Sequence, residues 1–196
     1  MGSRNQILEK IKSNKPELLD LPNIDISLFE ENLDLIKEFT KKVEVVGGNI
    51  VTANSNEDII HQIEKIFPDS KVKFSNLENT QSFNTINLAT LHKPHDLENL
   101  DLLVLESKLA VAENGSIWVS DNEIPVRVLP FIVQHLVLVL SAKDIVPYMH
   151  QAYDKLSNLD SDFGVFIAGP SKTADIEQSL VIGAHGALSL TIFLKE

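Results

Sequence analysis

The sequence predicts an α/β fold: a mostly parallel sheet flanked by helices, preceded by an N-terminal helical arm. Three observations carry that expectation. Residues 49–74 alternate strand, helix and strand, the pattern of parallel strands joined by crossover helices. Residues 135–140 are rich in Val and Leu with no polar alternation, as a strand buried on both faces requires. Residues 163–168 form a second apolar run, followed by a polar turn, a short helix, a glycine turn and the alternating run 187–194. With 196 residues and 43% hydrophobic content, the chain has material for one domain, placed at 43–196, and an arm at 1–42.

Taken in order, residues 3–13 predict a short amphipathic helix with Ile7, Leu8 and Ile11 on one side. Residues 16–26 are a polar linker punctuated by proline. Ser27 is expected to cap a second helix, with Glu30 in the capping-box position and Leu28, Leu35, Ile36 and Phe39 on its face. Such an arm packs on a second copy of the chain or on its own domain. Gly47-Gly48 ends the helical region, 49–53 reads as a strand, and Ser55 caps a helix over 56–67. Pro68-Asp69 breaks that helix before a short strand at 72–74. Residues 76–99 are polar and poorly periodic, and His92 and His95 there lack the further ligands a metal site needs. A strand at 100–105 leads to a hairpin, 109–112 and 117–119, across Glu113-Asn114-Gly115-Ser116, because Asn-Gly favours a tight turn. Pro147 fits the first turn of a helix reaching residue 156.

The net charge of -11, with an isoelectric point near 4.9, lacks the basic face that nucleic acid or anionic membrane requires. No stretch reads as a signal peptide, and the most apolar segment, 126–140, is interrupted by Arg127, Pro130, Gln134 and His135, so a cytoplasmic location is expected. The 196 residues contain no cysteine, which excludes a thiol nucleophile and thiolate ligation of an iron–sulfur cluster by them. No metal or cofactor is expected.

The densest cluster of small and ionisable residues is Gly169-Pro170-Ser171-Lys172-Thr173-Ala174-Asp175-Ile176-Glu177-Gln178, closed by Gly183-Ala184-His185-Gly186. Ser171 or Thr173 would cap a helix there, Asp175 and Glu177 would suit its positive end, and Gly183 and Gly186 would stop it. Lys172 and the free N–H groups of such a turn would attract an anion. His185, between glycines, either moves protons near neutral pH or caps a helix end. Glu113 is either an exposed turn acid or a pocket acid with a nucleophilic or general-base role. Arg127 is a second candidate anion contact.

The same stretch resembles the signature of the lactate utilization (LUD) domain family. Ser3-Arg4-Asn5-Gln6-Ile7-Leu8 resembles that family's start, and Ala110-Val111-Ala112-Glu113-Asn114-Gly115-Ser116 its second signature. Two positions depart from the pattern: Ala187-Leu188 stands where Pro-Arg is common, and Asn114 where threonine is typical. The resemblance implies a fold of the ribose-5-phosphate isomerase/CoA-transferase type. It also implies an accessory or substrate-handling role in bacterial L-lactate oxidation to pyruvate, with iron–sulfur partner proteins carrying the electrons. Under it Glu113, Asp175, Glu177 and His185 are the candidate catalytic residues. Ser171, Lys172, Thr173, Gly183 and Gly186 would bind a small carboxylate or other anion. A free-standing transferase or isomerase using Glu113 on an acyl thioester or sugar phosphate is the rival, and a scaffold without chemistry the third reading. The two polar turns are expected to share one cleft at the carboxyl ends of the strands.

Overall fold

The computed structural model describes residues 3–20, 22–23, 25, 28, 31, 33–157, 159–174 and 180–195. The chain forms two units, residues 1–32 and 33–196. In the first, helix α1 spans Ser3–Ser13 and ends with Lys10 and Lys12 at the negative end of its dipole. Ser27 and Glu30, the expected cap and capping-box acid, lie outside the described residues.

In the second unit, Asp34 accepts the N–H of Lys37 at 3.1 Å and opens helix α2, Leu35–Val45. Its Phe39 and Val43 are fully buried, so α2, expected within the arm, supplies part of the core of the α/β unit. Gly47, at φ +86°, turns the chain into strand β1, Asn49–Ala53. Ser55 accepts the N–H of Asp58 at 3.1 Å and caps helix α3, Asn56–Ile66, as its sequence predicts. Strand β2 is Lys73–Ser75, and short 3-10 turns fill residues 81–97 before β3, Leu102–Ser107. The hairpin is β4, Ala110–Val111, and β5, Ser116–Ser120. Helix α4, Leu129–Ile132, precedes β6, His135–Ser141; β7, Ile145–Val146, precedes α5, Met149–Leu156. The rest is strand: β8 at Gly164–Ile167, β9 at Lys172–Ala174, β10 at Leu180–Ile182 and β11 at Ser189–Lys195.

Strands β1, β11, β6, β3 and β2 form a five-stranded sheet in that order, every pair parallel. Both faces are covered, which explains why β6 reads as an unbroken apolar run. Val137, Val139, Val104 and Phe193 face Ile59 and Ile63 of α3. Leu136, Leu138, Leu105 and Ile192 point the other way, into a larger cluster with α2 and a second sheet. That second sheet, in the order β7-β4-β5-β8, mixes parallel and antiparallel pairs. Ala110, Ile117 and Val119 pack it on the first sheet, while Val111, Trp118 and Phe166 face Met149, Ala152 and Leu156 of α5. Each fully buried Val, Leu, Ile or Phe among these contributes roughly 1.5–3 kcal/mol relative to exposure.

One expected element is corrected. No helix follows Pro170 among the described residues; β9 and β10 pair antiparallel, Lys172 opposite Ile182. The reason is non-local hydrogen bonding. The Ser171 N–H donates to the Ala187 carbonyl at 2.9 Å, and the Gly183 N–H donates to the Ser171 carbonyl at 3.0 Å. Groups that would have opened a helix are held by a neighbouring segment instead. Gly183 keeps a positive φ of +80°, but it closes a ribbon rather than a helix.

Phe39→Ala is expected to destabilise the α/β unit by about 3–5 kcal/mol, the cost of emptying a fully buried aromatic site. Denaturant unfolding measures it; a variant as stable as the parent would show that α2 is not part of the core.

Candidate functional site

Strands β4 and β8 are both antiparallel to β5, with Ile117 opposite Ala110 on one side and Ile167 on the other. They therefore run the same way and end together. The Glu113 turn leaves the end of β4, and Gly169 leaves the end of β8, about two strand spacings, ~10 Å, away. Both turns press against the last turn of α2. Gly115 has φ +70°, and a Cβ there would lie 2.8 Å from the Val43 nitrogen. Gly169 has φ +74°, and a Cβ there would overlap the Val46 carbonyl oxygen. No other residue type fits these two approaches without moving backbone.

This end is the carboxyl end of β4 and β8, but it adjoins Gly47-Gly48, from which β1 departs. The expected location at the carboxyl ends of the strands is thus corrected for the five-stranded sheet. The signature turns lie beside its amino ends, because β4 and β8 run toward the point where β1 begins.

Glu113 is exposed, and its Oε2 accepts the Met149 N–H at 2.9 Å. The acid sits on the first turn of α5, where the helix dipole favours negative charge. Asn114 Oδ1 accepts from the N–H of Ser116 at 3.0 Å and from its Oγ at 2.7 Å, closing the turn. Lys172, also exposed, donates from Nζ to the carbonyl of Val46 at the C-terminal end of α2, the complementary use of a cation. Thr173 pairs with Val181 in the β9–β10 ribbon. His185 occupies an exposed turn between Gly183 and Gly186, and a Cβ on Gly186 would lie 3.1 Å from the Ser171 Cβ. Ser171, Gly183 and Gly186 are thereby brought together. Asp175 and Glu177 lie outside the described residues. Arg127 is engaged by Asp121 through both carboxylate oxygens, at 3.0 and 2.7 Å. Among the described residues no group of three or more His, Cys, Asp or Glu side chains could hold a metal ion.

Sequence reasoning missed a cleft of about 430 Å³ beside the amino ends of β1, β11, β6 and β3, lined in part by Phe67, Asp101, Gln134, His135 and Ser189. His135 Nδ1 lies 2.8 Å from Ser189 Oγ, and its ring packs 4.8 Å from that of Phe67. Asp101 Oδ2 accepts the N–H groups of Lys71 and Val72 at 2.8 and 2.9 Å. The segment that follows the loop borders this cleft, since the Leu188 N–H donates to the Gln134 carbonyl at 2.7 Å. Only strand register joins His135 to Ser189, 54 residues apart, so no local motif could signal the pair.

Two outcomes follow. Gly169→Ala should cost on the order of 1–2 kcal/mol or more, since it adds a positive-φ penalty to a clash with Val46; an unchanged unfolding free energy would place this loop elsewhere. Burial lowers the His135 pKa from 6.5, partly opposed by the nearby Asp101 carboxylate. The unfolded chain therefore takes up that proton at higher pH than the folded chain. Stability from His135 is complete above pH 6.5 and is lost as pH falls through the lowered value. Partial exposure keeps the effect small. His135→Gln should flatten the acid-side slope of stability against pH, and identical slopes would show an imidazole that is not desolvated.

Comparison with known proteins fits this architecture. A family model described as the LUD domain matches residues 92–194. Lactate utilization protein C 1 of Bacillus mycoides (strain KBAB4) is 24% identical over 216 residues, covering 93% of this chain and 91% of that protein. Lactate utilization protein C of Geobacillus sp. (strain WCH70) is 24% identical, over 96% of this chain and 78% of that protein. The homologue of the same name in Bacillus pumilus (strain SAFR-032) is 34% identical over 97 residues, 46% of this chain and 40% of that one. The crystal structure of a DUF162 family protein from Deinococcus radiodurans shares the fold, with a TM-score of 0.59 at 14% identity over 83% of this chain and 97% of that one. With its mostly parallel sheet, its two signature turns and more than half its length matched, this chain belongs to the LUD domain family.

Proposed function

We propose that this protein is an accessory or substrate-handling component of L-lactate oxidation to pyruvate, acting in the cytoplasm with iron–sulfur partner proteins. The observation that carries the reading is the similarity, over 93% of the chain, to a protein named for lactate utilization. Oxidising the secondary alcohol of lactate to a ketone releases two electrons and two protons. With no cysteine among its 196 residues, this chain offers no thiolates to hold a cluster that could take those electrons, so partner proteins take both electrons and the proton of the Cα–H bond, and the hydroxyl proton is left to this chain. No helix among the described residues is long and apolar enough to cross a membrane.

What this chain contributes is a place for the anion and a proton acceptor. Lys172 carries three ammonium hydrogens, one of them on the Val46 carbonyl, which leaves two for a substrate carboxylate. Thr173, the next residue of β9, presents its hydroxyl to the other face of the ribbon, while Gly183 and Gly186 allow backbone to come close. His185, in the turn between Gly183 and Gly186, is the base of this loop and accepts the hydroxyl proton. Glu113 we assign to positioning, because its carboxylate holds the first turn of α5.

Anaerobic dye reduction tests the proposal. The chain alone should show no lactate-dependent reduction. Added to iron–sulfur lactate-oxidising proteins it should raise their rate, and Lys172→Ala should lower that gain by about tenfold, the loss of one charged hydrogen bond. Lactate oxidation by the isolated chain, or a partner rate indifferent to it, would contradict the proposal.

A further inference from the structure

The cleft beside the amino ends of the parallel strands takes no part in the proposed handling of lactate, and its chemistry differs from that of the signature loop. Its charged lining is acidic, from Asp69 and Asp101, and among the described lining residues there is no Lys or Arg. A carboxylate or phosphate ligand would meet two carboxylates and no cation, which disfavours it. The remaining polar lining is neutral and mixed: the amides of Asn49 and Gln134 and the hydroxyls of Ser70 and Ser189 both donate and accept. Groups of that kind match hydroxyls, which also do both. Asp101 Oδ2 is occupied by two backbone N–H groups, while Oδ1 meets, among the described residues, the Gln134 side chain at 3.5 Å and keeps acceptor capacity. Asp69 is exposed at the rim with both oxygens suited to neighbouring hydroxyls.

The apolar part of the cleft completes the fit. Phe67 and Pro68 form one wall, and Phe67 is held against His135 with ring centres 4.8 Å apart. Because Ser189 engages Nδ1, Nε2 is the ring nitrogen left to meet a ligand. The volume, about 430 Å³, lies within the range of small-molecule sites. From this juxtaposition we infer that the cleft binds a neutral sugar ring, free or within a nucleoside, with its hydroxyls on Asp69, Asp101 and the amides and its C–H face on Phe67.

Ligand-observed saturation-transfer NMR on the full chain tests this with D-ribose, adenosine, adenine, L-lactate and inorganic phosphate. D-ribose and adenosine should both bind saturably, and adenine should not. Ribose binding alone would assign a free sugar; adenosine binding alone, with adenine silent, would assign a nucleoside. Asp69→Asn and Ser189→Ala should each weaken the binding by about tenfold, as one lost hydrogen bond does, with Asp69→Asn leaving the melting temperature unchanged. Lys172→Ala should leave it unaltered, which separates this cleft from the lactate proposal. Adenine binding as well as adenosine, displacement by lactate or phosphate, or indifference to Asp69→Asn would overturn the inference, as would failure of both ribose and adenosine to bind.

Discussion

The close approach of three backbone segments at the end of α2 is the constraint on which the rest of the site depends. Val43 and Val46 lie against Gly115 and Gly169, so the hairpin turn and the turn after β8 both rest on one helix end. Gly47-Gly48 then releases the chain into β1, tying that junction to the parallel sheet. Side chains at the two glycines would push the second sheet off α2. In this chain the two turns are therefore first of all solutions to a packing problem, since Gly115 and Gly169 let main chain meet main chain.

The ionisable residues in those signatures follow the same logic. Glu113 sits on the N-terminal turn of α5 and Lys172 on the C-terminal end of α2. Each complements a helix dipole, an interaction of roughly 0.3–1 kcal/mol for an exposed group. A function that uses either residue must share it with this structural role. Lys172 can share, because an ammonium has donors to spare; a carboxylate committed to a backbone N–H is a weaker nucleophile. This asymmetry is why the proposal places anion binding on Lys172 and proton transfer on His185, with Glu113 as a support.

Much of the fold was legible because its signals are local. The unbroken apolar run of β6 announced a strand buried on both faces, Ser55 announced α3, and Asn114-Gly115 announced the hairpin. What failed was non-local. Ser171 and Thr173 look like helix caps in sequence, yet the ladder that claims this segment comes from Ala187 and Gly183. Helix α2 showed its apolar face but not the sheet that face would meet, so it was expected in the arm. Of the candidate loop residues, Ser171, Gly183 and Gly186 are near one another, while the end of the sheet at which they lie depends on how one sheet stacks on another. The cleft around His135 was invisible, because register alone pairs it with Ser189.

The central claim is that the two turns, gathered on the end of α2, act as one unit, with a small carboxylate held by Lys172 and the Glu113 turn as its support. Titrating L-lactate into the isotopically labelled chain and following backbone amides tests it most directly. The account predicts that amides of residues 113–115 and of 171–173 shift together, with one common saturation curve. Shifts confined to one turn, or fitting two unrelated affinities, would contradict it.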